Sequence, residues 1–230
     1  LGFPYGQDFL RNEENLLEII RDHAYAASAL LAKEKGTFPL YDREKFKQGS
    51  FYQTLSPWVR ELIEQHGLRN SHLLSIAPTG TMSFTLDNVS SGIEPVFAYE
   101  QERDILDARS KRTERIPDYG VHYFGVKGKR CADVTIQEHL DVLAVAAARV
   151  DSAVSKTCNV PPHIPWEDFK RVYDQAWERG CKGLTTFQPN GKRFAVLRSM
   201  DNPTPLPTGQ LIPEGTACTF DPVSGRKSCE

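Results

Sequence analysis

Residues 71–83 read SHLLSIAPTGTMS, and the fold turns on how this stretch is taken. The short apolar run through Leu73, Leu74, Ile76 and Ala77, stopped by Pro78, predicts a short buried strand over residues 71–78. Thr79, Gly80, Thr81, Met82 and Ser83 then form a turn rich in hydroxyls where a helix can begin. The first N–H groups of a helix have no intrahelical acceptor and carry the positive end of its dipole, which suits a phosphate. Gly80 lets the backbone come close to an anion. The lysine and the G-x-x-x-x-G-K spacing of a Walker A loop are missing. On spacing alone a plain capped turn is the simpler reading, and a phosphate cradle is the alternative.

Helical periodicity lies on both sides of this stretch. Upstream, Leu16, Ile20, Ala24, Ala27 and Leu31 recur at helical spacing, with Asn12 as a candidate N-cap and Gly36 as a stop. A shorter helix is expected from Ser56 and Pro57 to Gly67, with Trp58, Leu62 and Ile63 facing inward. Downstream, residues 88–95 (NVSSGIEP) read as a turn-rich surface loop, and residues 96–113 are charged and ambiguous. Residues 135–156 predict a helix with Ile136, Leu140, Leu143, Ala147, Val150 and Val154 on one stripe. Residues 166–178 predict another, turning Phe169, Val172, Tyr173, Ala176 and Trp177 inward and ending near Gly180. GLTTF (183–187) reads as a strand closed by the turn signal PNG (189–191). Helices interleaved with short strands predict an α/β domain over residues 1–200.

Five of the 15 prolines fall after Met200, so residues 201–230 predict a flexible, Pro-rich tail with too little apolar surface to offset its ordering entropy. The formal net charge of −2 excludes a strongly basic nucleic-acid binder. No apolar run approaches the roughly 18 residues of a membrane helix, and a soluble, cytoplasmic chain is expected. The 5 cysteines are an odd number without zinc-finger spacing. Cys131, Cys158 and Cys181 read as buried thiols, whereas Cys218 and Cys229 lie on the tail. The 6 histidines are scattered, with no HxxxH pair, so no metal site is expected.

Several longer motifs stand in collinear order over roughly residues 10–197. They are GLRNSHLLSIAPTGTMSFTLDNVSSGIEPVFAYE (67–100), DSAVSKTCNVP (151–161) and WERGCKGLTTFQPNG (177–191). Together they resemble the C-terminal part of ribonucleotide reductases, and most closely the smaller, C-terminal chain of a split adenosylcobalamin-dependent (class II) enzyme. The resemblance implies part of a ten-stranded α/β barrel, incomplete without its partner chain. It also implies that Pro78, Thr79, Gly80 and Thr81, continuing to Met82 and Ser83, match the family turn that binds substrate phosphate. That makes the cradle the favoured reading. Met82 would contribute only its N–H.

The resemblance also implies what lies elsewhere. In the family the radical-bearing cysteine and the two reducing cysteines precede the phosphate turn by long stretches, but here the first cysteine is Cys131. No catalytic residue is therefore expected in this chain. The thiols, and most contacts to adenosylcobalamin, are expected on a larger N-terminal chain. Cys218 and Cys229 resemble the redox pair on the arm that re-reduces such enzymes, with a thioredoxin-like reductant as partner, although their separation is longer than usual. Unpaired strand edges predict that the chain alone is oligomeric, poorly soluble or rearranged. Two alternatives stay open: a noncatalytic nucleotide- or partner-binding module derived from the barrel, and a piece of a longer single polypeptide.

Overall fold

The computed structural model of the protein describes residues 5–107, 110–188, 198–199, 218–220 and 227–229. The chain opens with α1 (Gln7–Lys35), α2 (Arg43–Gln48), α3 (Ser50–Thr54) and α4 (Pro57–His66). The short α5 (Gly80–Ser83) precedes a hairpin of β1 (Glu100–Asp107) and β2 (Ser110–Pro117). Next come α6 (Tyr119–Phe124), α7 (Ile136–Arg149), β3 (Thr157–Asn159), α8 (Trp166–Glu178) and β4 (Thr185–Phe187). Three short strands, β5 (Arg198–Ser199), β6 (Cys218–Phe220) and β7 (Lys227–Cys229), follow. The α/β class expected from the sequence holds.

The long α1 starts five residues before Asn12 and stops where Gly36 donates its N–H to Ala32 O at 2.8 Å. Its predicted apolar stripe faces outward: Leu16, Ile20 and Leu31 are exposed, as is Ile19 beside them. The buried side instead carries Arg21, Asp22, Tyr25, Ala29 and Ala32 and packs against α4 and α7. Small alanines let the helices approach closely, and the buried Arg21 and Asp22 are paired. Arg21 donates to Asp22 at 2.8 Å, and Asp22 also accepts from Ser56. Burial alone would raise the Asp22 pKa, but these bonds hold it below the ordinary range. Tyr25 and Ala29 meet Tyr52, Leu55, Val59, Ile63 and Leu68 in the first core. As expected, α4 runs from Pro57 to a Gly67 stop, but Trp58 points outward while Val59 and Ile63 are buried.

A second core joins α7 and α8 through Leu140, Leu143, Val160, Val172, Ala176 and the thiols of Cys158 and Cys181. Burial pushes the Cys158 thiol up to about 11 and raises Cys181 as well, as suits inert packing thiols. Thr135 opens α7 with a capping box: its hydroxyl accepts from Glu138 N at 3.2 Å, and Glu138 accepts from Thr135 N at 2.9 Å. The helix ends at Arg149, earlier than the sequence pattern predicts, because tertiary partners claim the next residues. Lys182 Nζ donates to the carbonyls of Val150, Asp151 and Ser152 at 3.2, 2.6 and 2.8 Å. α8 spans the predicted 13 residues, but Tyr173 and Trp177 are exposed.

β3 and β4 pair in parallel across α8, with Cys158 opposite Thr186. Residues 71–78 lie alongside but form no regular strand: Ile76 makes one parallel bridge to Val154. The backbone N–H groups of Leu73 and Leu74 go to the Asp151 carboxylate at 2.7 and 3.0 Å rather than to a neighbouring strand. The segment is also half-exposed to exposed rather than buried. The ambiguous charged stretch becomes β1 and β2, paired antiparallel from Glu100↔Pro117 to Asp107↔Ser110. Among the described residues the strands form three small sheets and do not close a barrel. The PNG turn and most of the 201–230 tail lie outside the described residues; β6 and β7 are the part described, with Cys218 and Cys229 in register.

Candidate functional site

The turn at residues 79–83 is open. Thr79 is half-buried, Gly80 and Thr81 are exposed, and Met82 is 64% exposed. A Cβ placed on Gly80 would meet nothing within 4 Å, so space for a ligand lies directly in front of the backbone. Only one helical turn follows, and Ser83 N bonds back to Thr79 O at 2.9 Å. The N–H groups of Gly80, Thr81 and Met82 start that turn and have no intrahelical acceptor by geometry. Ser83 behaves differently from the sequence expectation: it is buried, and its hydroxyl donates to Gly80 O at 2.7 Å. Its hydroxyl shapes the turn, which leaves Thr81 as the exposed hydroxyl residue and Thr79 half-buried.

Behind the turn, Asn88 adopts a left-handed φ of 61° and is buried. Its N–H bonds Ser83 O at 3.0 Å, its side-chain amide donates to Pro117 O at 3.1 Å, and Gln101 donates to its Oδ1 at 2.6 Å. One residue thus ties the end of the turn to the β1–β2 hairpin. Asn tolerates this backbone conformation better than most side chains do.

The loop expected at residues 88–95 is not a free surface loop. Glu94 reaches inward and accepts from Thr157 N at 2.5 Å and from Lys156 Nζ at 2.6 Å. The Lys156 side chain is fully buried, and its ammonium also donates to Thr157 O and to His139 Nδ1, both at 3.1 Å. All three ammonium hydrogens are therefore matched. His139 is held neutral, its pKa lowered to about 4 by burial and then by the Lys156 charge. With Nδ1 accepting, its proton sits on Nε2, so the Asn159 amide nitrogen 3.4 Å away is a neighbouring donor and not its hydrogen-bond partner. That amide also lies 2.6 Å from Cys131 Sγ. Cys131 is half-buried, and burial followed by the Glu94 charge raises its thiol.

Sequence reading placed Glu94 in a turn and Lys156 in a motif, but did not bring them together. The S-K-T-x-N-x-P stretch was the available signal. Among the described residues no group of three or more His, Cys, Asp or Glu could hold a metal, and no helix is long and apolar enough to cross a membrane. Cys218 and Cys229 sit opposite each other in the β6–β7 ladder, and this backbone register is what the structure describes of them.

The model of the ribonucleotide reductase barrel domain matches residues 1–119 and 100–187. A vitamin B12-dependent ribonucleoside-diphosphate reductase of Mycobacterium tuberculosis (strain H37Rv) is 29% identical over 90% of this chain and 31% of its own length. One from Thermoplasma acidophilum is 27% identical over 100% of this chain and 33% of its own. A ribonucleoside-diphosphate reductase subunit alpha of Mycoplasma pneumoniae is 27% identical over 70% of this chain and 26% of its own. The chain thus spans about a third of the length of the B12-dependent relatives it matches. Because the match takes in the helices, the open turn and both strands of the parallel pair, the chain belongs to the ribonucleotide reductase barrel-domain family.

Proposed function

We propose that this chain supplies the substrate-phosphate turn, and the C-terminal part of the barrel, of an adenosylcobalamin-dependent ribonucleotide reductase. The observation that carries this is the accessibility of the turn: Gly80, Thr81 and Met82 are exposed, the first helical N–H groups have no intrahelical acceptor, and a Cβ on Gly80 would meet nothing within 4 Å. Such an array holds a phosphate by charge-assisted hydrogen bonds, and so fixes where the attached ribose lies. The reaction would replace the ribose 2′-hydroxyl by hydrogen, driven by a thiyl radical whose cysteine lies on polypeptide outside this sequence. Cobalamin, when bound, supplies the radical. A groove of about 560 Å³ along α8 and a concavity of about 70 Å³ near Lys182 do not enclose a corrin-sized group.

Cys218 and Cys229 extend this reading. Residues directly opposite in an antiparallel ladder have Cα atoms about 4.5–5.5 Å apart, within the range a disulfide spans. Their register supports a pair that gives two electrons and two protons to a disulfide elsewhere in the enzyme, closing a disulfide of its own. A thioredoxin-like dithiol would then reopen it.

The test mixes this chain with a candidate larger polypeptide carrying the three reducing and radical cysteines, and assays cobalamin-dependent reduction of a ribonucleoside diphosphate. Activity is expected only in the mixture. Thr81→Val is expected to lower kcat/KM by roughly 10–100-fold, equivalent to losing one charge-assisted contact worth about 1.5–3 kcal/mol. Reduction by this chain alone, or a mixture indifferent to its presence, overturns the assignment. Nucleotide binding without any rescue of activity would mark a noncatalytic module instead.

A further inference from the structure

The buried Lys156 is not accounted for by phosphate contact, since its ammonium is fully enclosed by Glu94, His139 and Thr157. Its partner Glu94 is the last residue of a tight turn in which Glu94 N bonds Ser91 O at 3.0 Å. The tip of that turn, Gly92, adopts a left-handed φ of 55°, and a Cβ there would lie 3.4 Å from Ala77 O and 3.7 Å from Thr79 Oγ1. The tip therefore rests on the back of the phosphate turn. Ile93, between tip and carboxylate, accepts a hydrogen bond from the Tyr5 hydroxyl through its carbonyl. The strand that bears Lys156 also reaches the phosphate turn directly, with Ser155 N donating to Ile76 O at 2.8 Å.

We propose that Lys156, acting through Glu94, is a positioning residue that sets where Thr79, Gly80 and Thr81 stand. This rests on the phosphate reading above and deepens it. An ammonium with all three hydrogens engaged is a rigid anchor, and a carboxylate held from both oxygens cannot swing. Moving Glu94 moves the tip, which lies beside Ala77 O and Thr79 Oγ1, and moves the Lys156 strand that is bonded to Ile76. A displacement of about 1 Å at a binding group is enough to cost a large factor in recognition.

The experiment follows the backbone amides of the 230-residue chain by NMR, without ligand and during titration with inorganic pyrophosphate. Three forms are compared: wild type, Lys156→Met, and Lys156→Met with Glu94→Met. Replacing both members of a buried ion pair by apolar side chains of similar volume avoids an orphaned charge, so the double variant keeps the fold if the single one does not. Without ligand, the amides of residues 77, 79–81 and 92 are expected to shift in the double variant while those in the Tyr25–Val59–Ile63 core stay in place. A purely structural role would lower the unfolding temperature and leave the turn amides alone. With pyrophosphate, affinity is expected to fall roughly tenfold or more. Unchanged turn amides, or affinity within about twofold of wild type, overturn the proposal. If wild type shows no response at residues 79–83, the phosphate reading fails by itself, and the ligand-free comparison still decides whether Lys156 positions the turn.

Discussion

Glu13, in the first half of α1, is 7% exposed, and neither of its carboxylate oxygens has a hydrogen-bond partner among the described residues. Burial raises its pKa to about 8, with the nearby Lys156 charge opposing. Between the ordinary value near 4.5 and about 8 the folded state holds a proton that the unfolded state has lost. Stability is therefore full below about 4.5 and falls as pH rises through this window, by on the order of 3 kcal/mol at pH 7. His139 works the other way: with a folded pKa near 4, it costs stability as pH falls below its ordinary 6.5. The two slopes oppose each other at mildly acid pH, so a variant comparison is needed to separate them. Glu13→Gln is expected to raise the melting temperature at pH 8, to change it little at pH 4.5, and to flatten the decline between. Parallel pH–stability curves for variant and wild type would refute the assignment.

Gly67 shows how an element boundary is set. It ends α4 at φ 74° and ψ −156°, a region closed to side chains, and its N–H bonds Ile63 O at 2.8 Å. A Cβ there would come within 2.5 Å of Thr37 Cγ2 and 2.9 Å of Tyr41 Cε1. Gly67→Ala should therefore destabilise by about 2 kcal/mol or more, from strain plus displaced packing, as read by denaturant unfolding. A loss under about 0.5 kcal/mol would mean that the stop is not held this way. α4 and α8 were legible in sequence because the first-turn Pro57 of α4 and the glycines that follow both helices, Gly67 and Gly180, are local signals. The orientation of α1 was not. Its leucines and isoleucines keep helical spacing, yet burial went to the face whose alanines let α4 and α7 approach. Likewise, residues 71–78 have strand composition, but the Asp151 carboxylate takes two of the N–H groups a strand ladder would use.

At the scale of the molecule, β3 and β4 form a parallel pair of only three residues each. Parallel sheets are normally larger and covered on both faces, so such a pair presents backbone edges able to accept further strands. Exposed Trp166 and Trp177 on α8, and Leu16, Ile19 and Ile20 on α1, add apolar surface. The chain by itself is expected to elute from a sizing column as assemblies larger than its 25.9 kDa mass, and to shift to a defined complex when the larger polypeptide proposed above is added. A compact monomer with a sharp melting transition, unchanged by that addition, would contradict this.

Local chemistry in the amino-acid order sufficed for the glycine stops of α1, α4 and α8, for the α/β class, and for the position of the hydroxyl-bearing turn, since each depends on neighbours a few positions apart, but not for the start of α1 or the end of α7. The collinear motifs were enough to indicate the family. Tertiary structure alone chose the buried face of α1, turned the Ser83 hydroxyl inward, and joined Glu94 to Lys156 across 62 positions of chain. Those outcomes depend on which groups can share a hydrogen bond or a packed surface once distant segments meet, and no local pattern carries that information.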